Sequence, residues 1–578
     1  MKKILSLVLS ALILVCVIPI GAITVGAETY GDYITYTISN GAVTITDCNT
    51  SVEGAFIIPD TIDNYPVTAI GSSAFEGCGK LTEITIPKSI TSMGASAFNG
   101  TNLQKIYIES LEDWCKINFS SPNSSIFSPN PYAEFYVDGE LITDLVIPGT
   151  VSGISDYAFY LGAGFKSITI ENGVERVGKY TFSMCRFVTE INIPPSIKTI
   201  DENAFATCTA VTEVNITDLG AWCSISFANN YSSPVKDNLK LNGSLVTQVV
   251  IPEGVKAING AFMNCSQITS VSIPEGVEAI GGYSFYGCSK INNIDIPKSV
   301  KSIGEYAFYK CSSLTTVKIP DGVTYINSNT FNYCTGLTSV DLPEGITGIA
   351  GYAFGNCTKL TNIEIPETVT FFGGSVFYGC SALKSLSLPF IGNSPHLNNY
   401  LDFFFGGSSN TSTTNKVPYS LKTVVLLDNC TAVKNNTFYY CRNLTNIVIG
   451  DGVESIGENA MYYCTSLKSV TIGENVKTIS NYAFYTCYNL TDVYYHGTQA
   501  EWKKITIGTN NDYLKSATIH YISDGDLDCD SDINADDLTI LRKLIITGGK
   551  NMFADMNGDS KINLRDLVNL KKQLVGIK

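Results

Sequence analysis

The residues best suited to chemistry lie near the C-terminus. Asp526, Asp528, Asp530, Asp532 and Asp537 occupy positions 1, 3, 5, 7 and 12 of a twelve-residue loop. Asp555, Asn557, Asp559, Lys561 and Asp566 occupy the same positions of a second loop 29 residues later. Oxygen side chains at 1, 3, 5 and 12, with a backbone carbonyl at 7, form the ligand scheme of a calcium loop. Calcium is a hard cation that takes roughly six to eight oxygens, so alternate residues of a tight loop must point inward. The pattern predicts two bound Ca2+ ions. A merely acidic tail would not repeat its oxygen positions in phase.

These loops need elements to hold them. Ile533 and Ile562 are placed to pair the two loops through a short strand contact. Each loop opens a helix, one carrying Leu538, Leu541 and Leu544 on a single face, the other Leu567, Leu570 and Leu574. The last loop position is Asp where EF-hands use Glu, and no helix precedes the first loop. This combination resembles a type I dockerin over residues 524–576. The resemblance implies a small all-α calcium-binding module that docks an exported protein onto a cohesin domain of a scaffold protein. In that family the residues after each loop's Asn, here Ala535-Asp536 and Leu564-Arg565, help choose the cohesin together with basic helix residues, here Arg542, Lys543, Lys571 and Lys572. Position 6 is Ser531 and Ser560 rather than Gly. The pairs after Asn differ between the copies and from the usual Ser-Thr, which leaves open which cohesin is bound and whether binding is two-fold symmetric.

Upstream, a 23-residue period dominates. Cys265, Cys288, Cys311, Cys334, Cys357 and Cys380 are each 23 apart, as are Cys185 and Cys208, and Cys441, Cys464 and Cys487. Exported proteins often use cysteine for disulfides. A fixed phase instead marks one recurring structural slot. Rungs about 4.8 Å apart would bring these sulfurs within reach, but equivalent side chains point the same way, which suits disulfide geometry poorly. Buried thiols acting as small hydrophobes are expected. One unit reads Leu314-Thr-Thr-Val-Lys-Ile319-Pro320-Asp-Gly-Val323-Thr-Tyr-Ile326, then Phe331 and Cys334. Fourteen Phe-x-x-Cys slots recur, counting Met461, Thr101 and Gly162 as variants, and such a period is the mark of a solenoid. The L-x-x-V-x-I segment alternates and is β-branched, so it reads as a short strand. Pro ends that strand, Gly-Val and the following Ile-Gly turn the chain, and Ala-Phe-x-x-Cys returns as a helical turn or coil. These residues resemble the BspA-like leucine-rich repeat over roughly residues 30–520. The resemblance implies a right-handed, curved, β-rich solenoid on an exported protein, in a family tied to adhesion and binding but to no single activity. The fold class expected is thus a β-rich repeat solenoid followed by a small all-α module.

Several segments depart from the period. Leu111-Glu-Asp-Trp114-Cys115 and Leu219-Gly-Ala-Trp222-Cys223 open expanded rungs near 104–147 and 212–251, and Ala500-Glu-Trp502 closes the array. Each Trp reads either as an aromatic plug or as a sugar-stacking platform. Residues near 390–420, rich in Gly, Ser, Asn and Thr, read as a surface loop. Residues 28–60 hold two strands around Asn40-Gly41 and read as a hairpin capping the open end of the core. Tyr160, Tyr286, Tyr309, Tyr378, Tyr439, Tyr462 and Tyr485 follow the Phe slot. Tyr157, Tyr180, Tyr283, Tyr306, Tyr352 and Tyr482 precede it by two. These columns either edge the core or present a tyrosine stripe to a ligand.

Composition sets the outer bounds. The chain has 578 residues, only 16% charged, a net charge of −15 and three His. That balance argues against nucleic acid or anionic membrane as a partner and leaves little for histidine chemistry. Met1-Lys2-Lys3, an apolar run from Ile4 to Ile20, and Val25-Gly26-Ala27 read as a signal peptide of residues 1–27. The alternative is an uncleaved anchor, although Pro19 and Gly21 cut the run to a marginal spanning length. Val15 before Cys16 disfavours a lipoprotein site. No membrane insertion is expected after cleavage. The expected organisation is signal 1–27, cap 28–60, solenoid 61–521 and calcium module 522–578. The leading function is non-catalytic: a secreted, cellulosome-type component, held at the cell surface through a scaffold protein, whose solenoid recognises a glycan or a protein. The rivals are a polysaccharide-degrading glycoside hydrolase and a structural spacer or host-surface adhesin. A hydrolase needs two carboxylates fixed in a cleft, and the repeats leave no room for a separate catalytic fold.

Overall fold

The computed structural model describes residues 25–394, 400–407, 416–522 and Asp537. The described chain forms two compact units. One holds residues up to Val246 with Asn259–Cys265, the other Thr247–Ile258 with Ser266 onward.

The first unit opens with three antiparallel strands, Val25–Tyr30, Ile34–Ser39 and Ala42–Cys48. Ser39 faces Ala42 across Asn40-Gly41, whose φ values of 50° and 74° supply the two left-handed positions of a two-residue hairpin turn. The first strand lacks alternation and was not legible in the sequence. It straddles the expected cleavage point, and Glu28, Thr29 and Tyr30 pair with Tyr36, Thr35 and Ile34 on the retained side.

Beyond this cap the rungs stack in parallel, and most contribute two strands, whereas the rung of residues 291–303 contributes only Ser302–Ile303. Ser167–Ile170, Glu190–Ile193 and Glu213–Ile216 pair in register, aligning Ile168, Ile191 and Val214. Alternate residues are buried, as a half-buried strand requires. A second ladder joins Gly153–Ile154, Arg176–Val177, Thr199–Ile200 and Ser226–Phe227. It lies where the sequence read only a turn, because a two-residue strand has no period to detect. Its following glycine lets the backbones close: a Cβ on Gly178 would sit 2.6 Å from the Ile154 carbonyl oxygen.

The expanded rungs begin with short helices, Leu111–Trp114 and Leu219–Ser224, whose first turns are capped by the side chains of Ser110 and Asp218. Each then runs to an antiparallel hairpin, Glu134–Val137 with Glu140–Leu141 and Leu239–Leu241 with Ser244–Leu245. The turns are Asp138-Gly139 and Asn242-Gly243, all four residues at positive φ.

In the second unit the longest ladder has seven strands, from Asn362–Glu364 through Ser385–Leu388 and Thr423–Leu426 to Thr518–Ile522. The segment read as a surface loop near 390–420 is partly core. Leu401–Phe405 forms a 3₁₀ turn with Leu401, Asp402, Phe404 and Phe405 buried. Phe404 packs edge-on to Phe372 at 5.0 Å. Three consecutive phenylalanines outweigh the loop-like composition around them.

One aromatic column runs through the core of this unit. Phe285, Phe308, Phe331, Phe354 and Phe377 stack with centroids 5.5, 5.3, 5.7 and 6.1 Å apart and near-parallel planes. Beside it, Cys311, Cys334, Cys357 and Cys380 donate Sγ–H bonds of 3.1–3.2 Å to the carbonyls of Phe285, Phe308, Phe331 and Phe354, one rung back. Cys185 and Cys208 do the same to Phe159 and Phe182 in the first unit. All the described cysteines are buried, reduced thiols. Sulfur at this slot both fills a small apolar space and caps a carbonyl, which alanine would not.

Candidate functional site

Three groups of residues are candidates for function: the tryptophans, the tyrosine columns and the C-terminal carboxylates. Trp114 and Trp222 are 1% and 2% exposed. Their indole N–H groups donate to the carbonyls of Ala158 and Ala261 at 3.2 and 2.6 Å. Trp114 lies against Phe119 and Phe135, and Trp222 against Phe227. These two are plugs, and a sugar cannot reach either ring. The sugar-stacking alternative is therefore wrong for both. Trp502 is half-buried and meets Tyr495 edge-on at 5.2 Å.

The tyrosines form true stacks. Tyr286 and Tyr309 lie 4.8 Å apart with planes at 12°. Tyr439, Tyr462 and Tyr485 continue the same column with spacings of 5.1 and 5.3 Å. In the preceding column, Tyr157 stacks on Tyr180 and Tyr283 on Tyr306. The members of that column at 157, 180, 283, 306, 352 and 482 all have positive φ, between 52° and 63°. Left-handed backbone costs a non-glycine residue roughly 1–2 kcal/mol, and stacking of the rings offsets part of it. A third column was missed: Tyr440 and Tyr463, two residues after the Phe slot, stack at 4.7 Å and 13°. The signal was present in the repeated Tyr-Tyr-Cys of 439–441 and 462–464. Arg442 lies over this column, its guanidinium carbon 4.8 Å from the Tyr440 ring centre.

Of the calcium-loop residues only Asp537 is described, and it is buried. The remaining expected ligands, Asp526, Asp528, Asp530, Asp532, Asp555, Asn557, Asp559, Lys561 and Asp566, lie outside the described residues. So do Ala535, Asp536, Arg542, Lys543, Leu564, Arg565, Lys571 and Lys572. Their donor set fits a hard cation: side-chain oxygens throughout, with a backbone carbonyl at the seventh position of each loop. Among the described residues no group of three or more His, Cys, Asp or Glu could hold a metal. Glu275 and Glu344, which recur after Pro, are exposed on turns. No described helix is long and apolar enough to cross a membrane.

Comparison with known proteins agrees with this picture. The model of the BspA type leucine rich repeat region matches residues 55–136, 130–233, 255–384, 301–417 and 415–519. The type I dockerin domain model matches residues 524–575, a module type that binds calcium and a cohesin partner. A search of curated proteins returned no match. Among solved structures, a leucine-rich repeat protein from Bacteroides ovatus ATCC 8483 is 21% identical, over 86% of this chain and 100% of that one, with a TM-score of 0.32. A leucine rich cell surface protein from Faecalibacterium prausnitzii A2-165 is also 21% identical, over 83% and 98%, with a TM-score of 0.27. The T. pallidum leucine rich repeat protein is 18% identical, over 50% and 90%, with a TM-score of 0.22. With repeat matches running from residue 55 to residue 519, the chain belongs to the BspA type leucine rich repeat family and carries a type I dockerin at its C-terminal end.

Proposed function

We propose that this chain is an exported, non-catalytic binding protein. Its solenoid holds a glycan or protein ligand, and its dockerin attaches it to a cohesin of a cellulosome-type scaffold. The observation that carries the reading is the pair of in-phase oxygen loops directly after the last solenoid strand, Thr518–Ile522.

In this reading each loop takes one Ca2+ ion. Asp526, Asp528, Asp530 and Asp537 supply side-chain oxygens to the first, with the Asp532 carbonyl. Asp555, Asn557, Asp559 and Asp566 supply the second, with the Lys561 carbonyl. Calcium neutralises carboxylates that otherwise repel within a few ångströms, so metal binding becomes folding energy. The Leu538-Leu541-Leu544 and Leu567-Leu570-Leu574 faces then have a partner in one another. Arg542, Lys543, Lys571 and Lys572, with Ala535, Asp536, Leu564 and Arg565, face the cohesin. Titration of the full chain with a cohesin from the same organism, with calcium and then with chelator, tests this. Binding that is lost with chelator and restored by calcium is expected. Binding indifferent to calcium, or none in its presence, contradicts the reading.

A further inference from the structure

We propose that the tyrosine ridge of Tyr439, Tyr440, Tyr462, Tyr463, Tyr485 and Tyr488, with Arg442 over it, binds an extended polysaccharide that carries carboxylates. The inference rests on the reading of the solenoid as a ligand-binding element and assigns that ligand a place and a chemistry.

The ridge is continuous. Tyr439, Tyr462 and Tyr485 stack along one line and Tyr440 and Tyr463 along the next. The two lines touch, with Tyr439 4.7 Å from Tyr440 and Tyr462 4.9 Å from Tyr463. Because the rings use their faces on each other, what they turn outward is ring edge and phenol hydroxyl. The hydroxyls of Tyr440, Tyr462, Tyr463, Tyr485 and Tyr488 find no hydrogen-bond partner among the described residues. Tyr488 is 56% exposed and Tyr485 37%. A row of rigid rings with unused hydroxyls is a surface suited to recognition at low entropic cost.

The charge is equally specific. Arg442 is exposed, lies 4.8 and 6.0 Å from the ring centres of Tyr440 and Tyr463, and pairs with no carboxylate among the described residues. The phenols of Tyr462 and Tyr488 are pushed up by burial and then by neighbouring tyrosines. In a chain of net charge −15, an exposed guanidinium with no carboxylate partner among the described residues gives an anion a local attraction that the net charge opposes. A guanidinium above a ring still offers its N–H fork to a carboxylate.

The ligand's repeat separates a glycan from a peptide. An extended peptide advances about 3.3 Å per residue, so side chains on one face recur at about 6.6 Å. That is out of step with rings 4.7–5.3 Å apart. A stretched β-linked sugar chain offers a set of hydroxyls once per sugar ring, close to the rung spacing, and a uronate chain adds the carboxylate.

The test uses the full chain, with a short β-linked oligomannuronate and a cello-oligosaccharide as probes in calorimetry. The wild type should bind oligomannuronate, with affinity falling as salt rises, and should bind the neutral chain at least ten-fold more weakly. Tyr440→Asn with Tyr463→Asn should lose at least ten-fold while the solenoid keeps its cooperative unfolding transition. Asn already occupies the equivalent left-handed position at Asn264 and Asn356, so the backbone tolerates it. Arg442→Gln should abolish the preference for the acidic chain. Tyr157→Asn, in the first unit, is the control and should change nothing. Ridge variants that bind as the wild type does would overturn the ridge while leaving a ligand-binding solenoid intact. A wild type that prefers the neutral chain would overturn the ligand chemistry. Binding of neither probe would overturn the inference and leave the cohesin docking of the C-terminal module untouched.

Discussion

Phe331 is the sharpest probe of what holds the second unit together. Its ring is fully buried and lies between Phe308 and Phe354, 5.3 and 5.7 Å away, with both interplanar angles at 2°. Phe331→Ala removes one ring from an unbroken stack. A buried Phe→Ala change costs about 3–5 kcal/mol, the upper end applying where the surroundings cannot collapse. They cannot collapse here, because backbone bonds fix the rung spacing on both sides of the ring: Phe331 N–H donates to Ala353 at 2.8 Å, and Phe308 N–H donates to Thr330 at 2.9 Å. In a repeat array the loss falls on nearest-neighbour interfaces, so it should appear undiluted in the unfolding of this unit. Tyr309→Ala is the matched control. Its ring also stacks, on Tyr286 at 4.8 Å, but it is half-buried and should cost about 1 kcal/mol. Urea unfolding followed by circular dichroism should give a lower midpoint at unchanged slope for Phe331→Ala. A cost no greater than that of Tyr309→Ala would refute the stacked-core argument.

Other predictions concern the thiols and the metal. Burial pushes the thiols of Cys380 and Cys487 up to about 12, well above the ordinary thiol range. Their folded-state values lie above the unfolded ones, so their contribution is complete below pH 9 and is lost as pH rises toward 12. Each should remove about 1.4 kcal/mol of stability per pH unit across that window, and a melting temperature flat from pH 8 to 11 would contradict this. In the native chain a thiol reagent should label none of the cysteines at 185, 208, 311, 334, 357, 380, 464 and 487, and after denaturation all of them. Recovery of these cysteines as disulfides would overturn the reduced column. Chelator should remove the helical signal of residues 522–578 while leaving the solenoid's β signal in place. Asp537→Ala and Asp566→Ala should each weaken calcium binding at least ten-fold by calorimetry.

The sequence was most legible where one residue type recurs in a slot that packing dictates. Leu314 to Ile319 reads as a strand from its alternation, and Phe331 and Cys334 read as core from their phase. What escaped has a physical reason. Tyr325–Ile326 is too short to show a period, so the second ladder looked like a turn. Tyr306 sits at a φ of 57°, a conformation its side chain does not favour, so no propensity pointed to a left-handed position. Leu401–Phe405 is a buried turn inside a segment whose composition is otherwise that of a loop. The Trp114 and Trp222 environments could not be decided from sequence, because a plug and a platform use the same residue. Their N–H bonds to Ala158 and Ala261 decide it. For the C-terminal module the reverse holds: the spacing of its oxygens carries more information than any neighbouring contact.

The most direct test of a solenoid carried on a calcium-dependent dock is titration calorimetry of the full chain against a cohesin from the same organism. With calcium present, a saturable complex should form. Chelator should abolish it, added calcium should restore it, and Asp537→Ala with Asp566→Ala should prevent it. A cohesin that binds equally well without calcium, or fails to bind the calcium-loaded chain, would contradict the account.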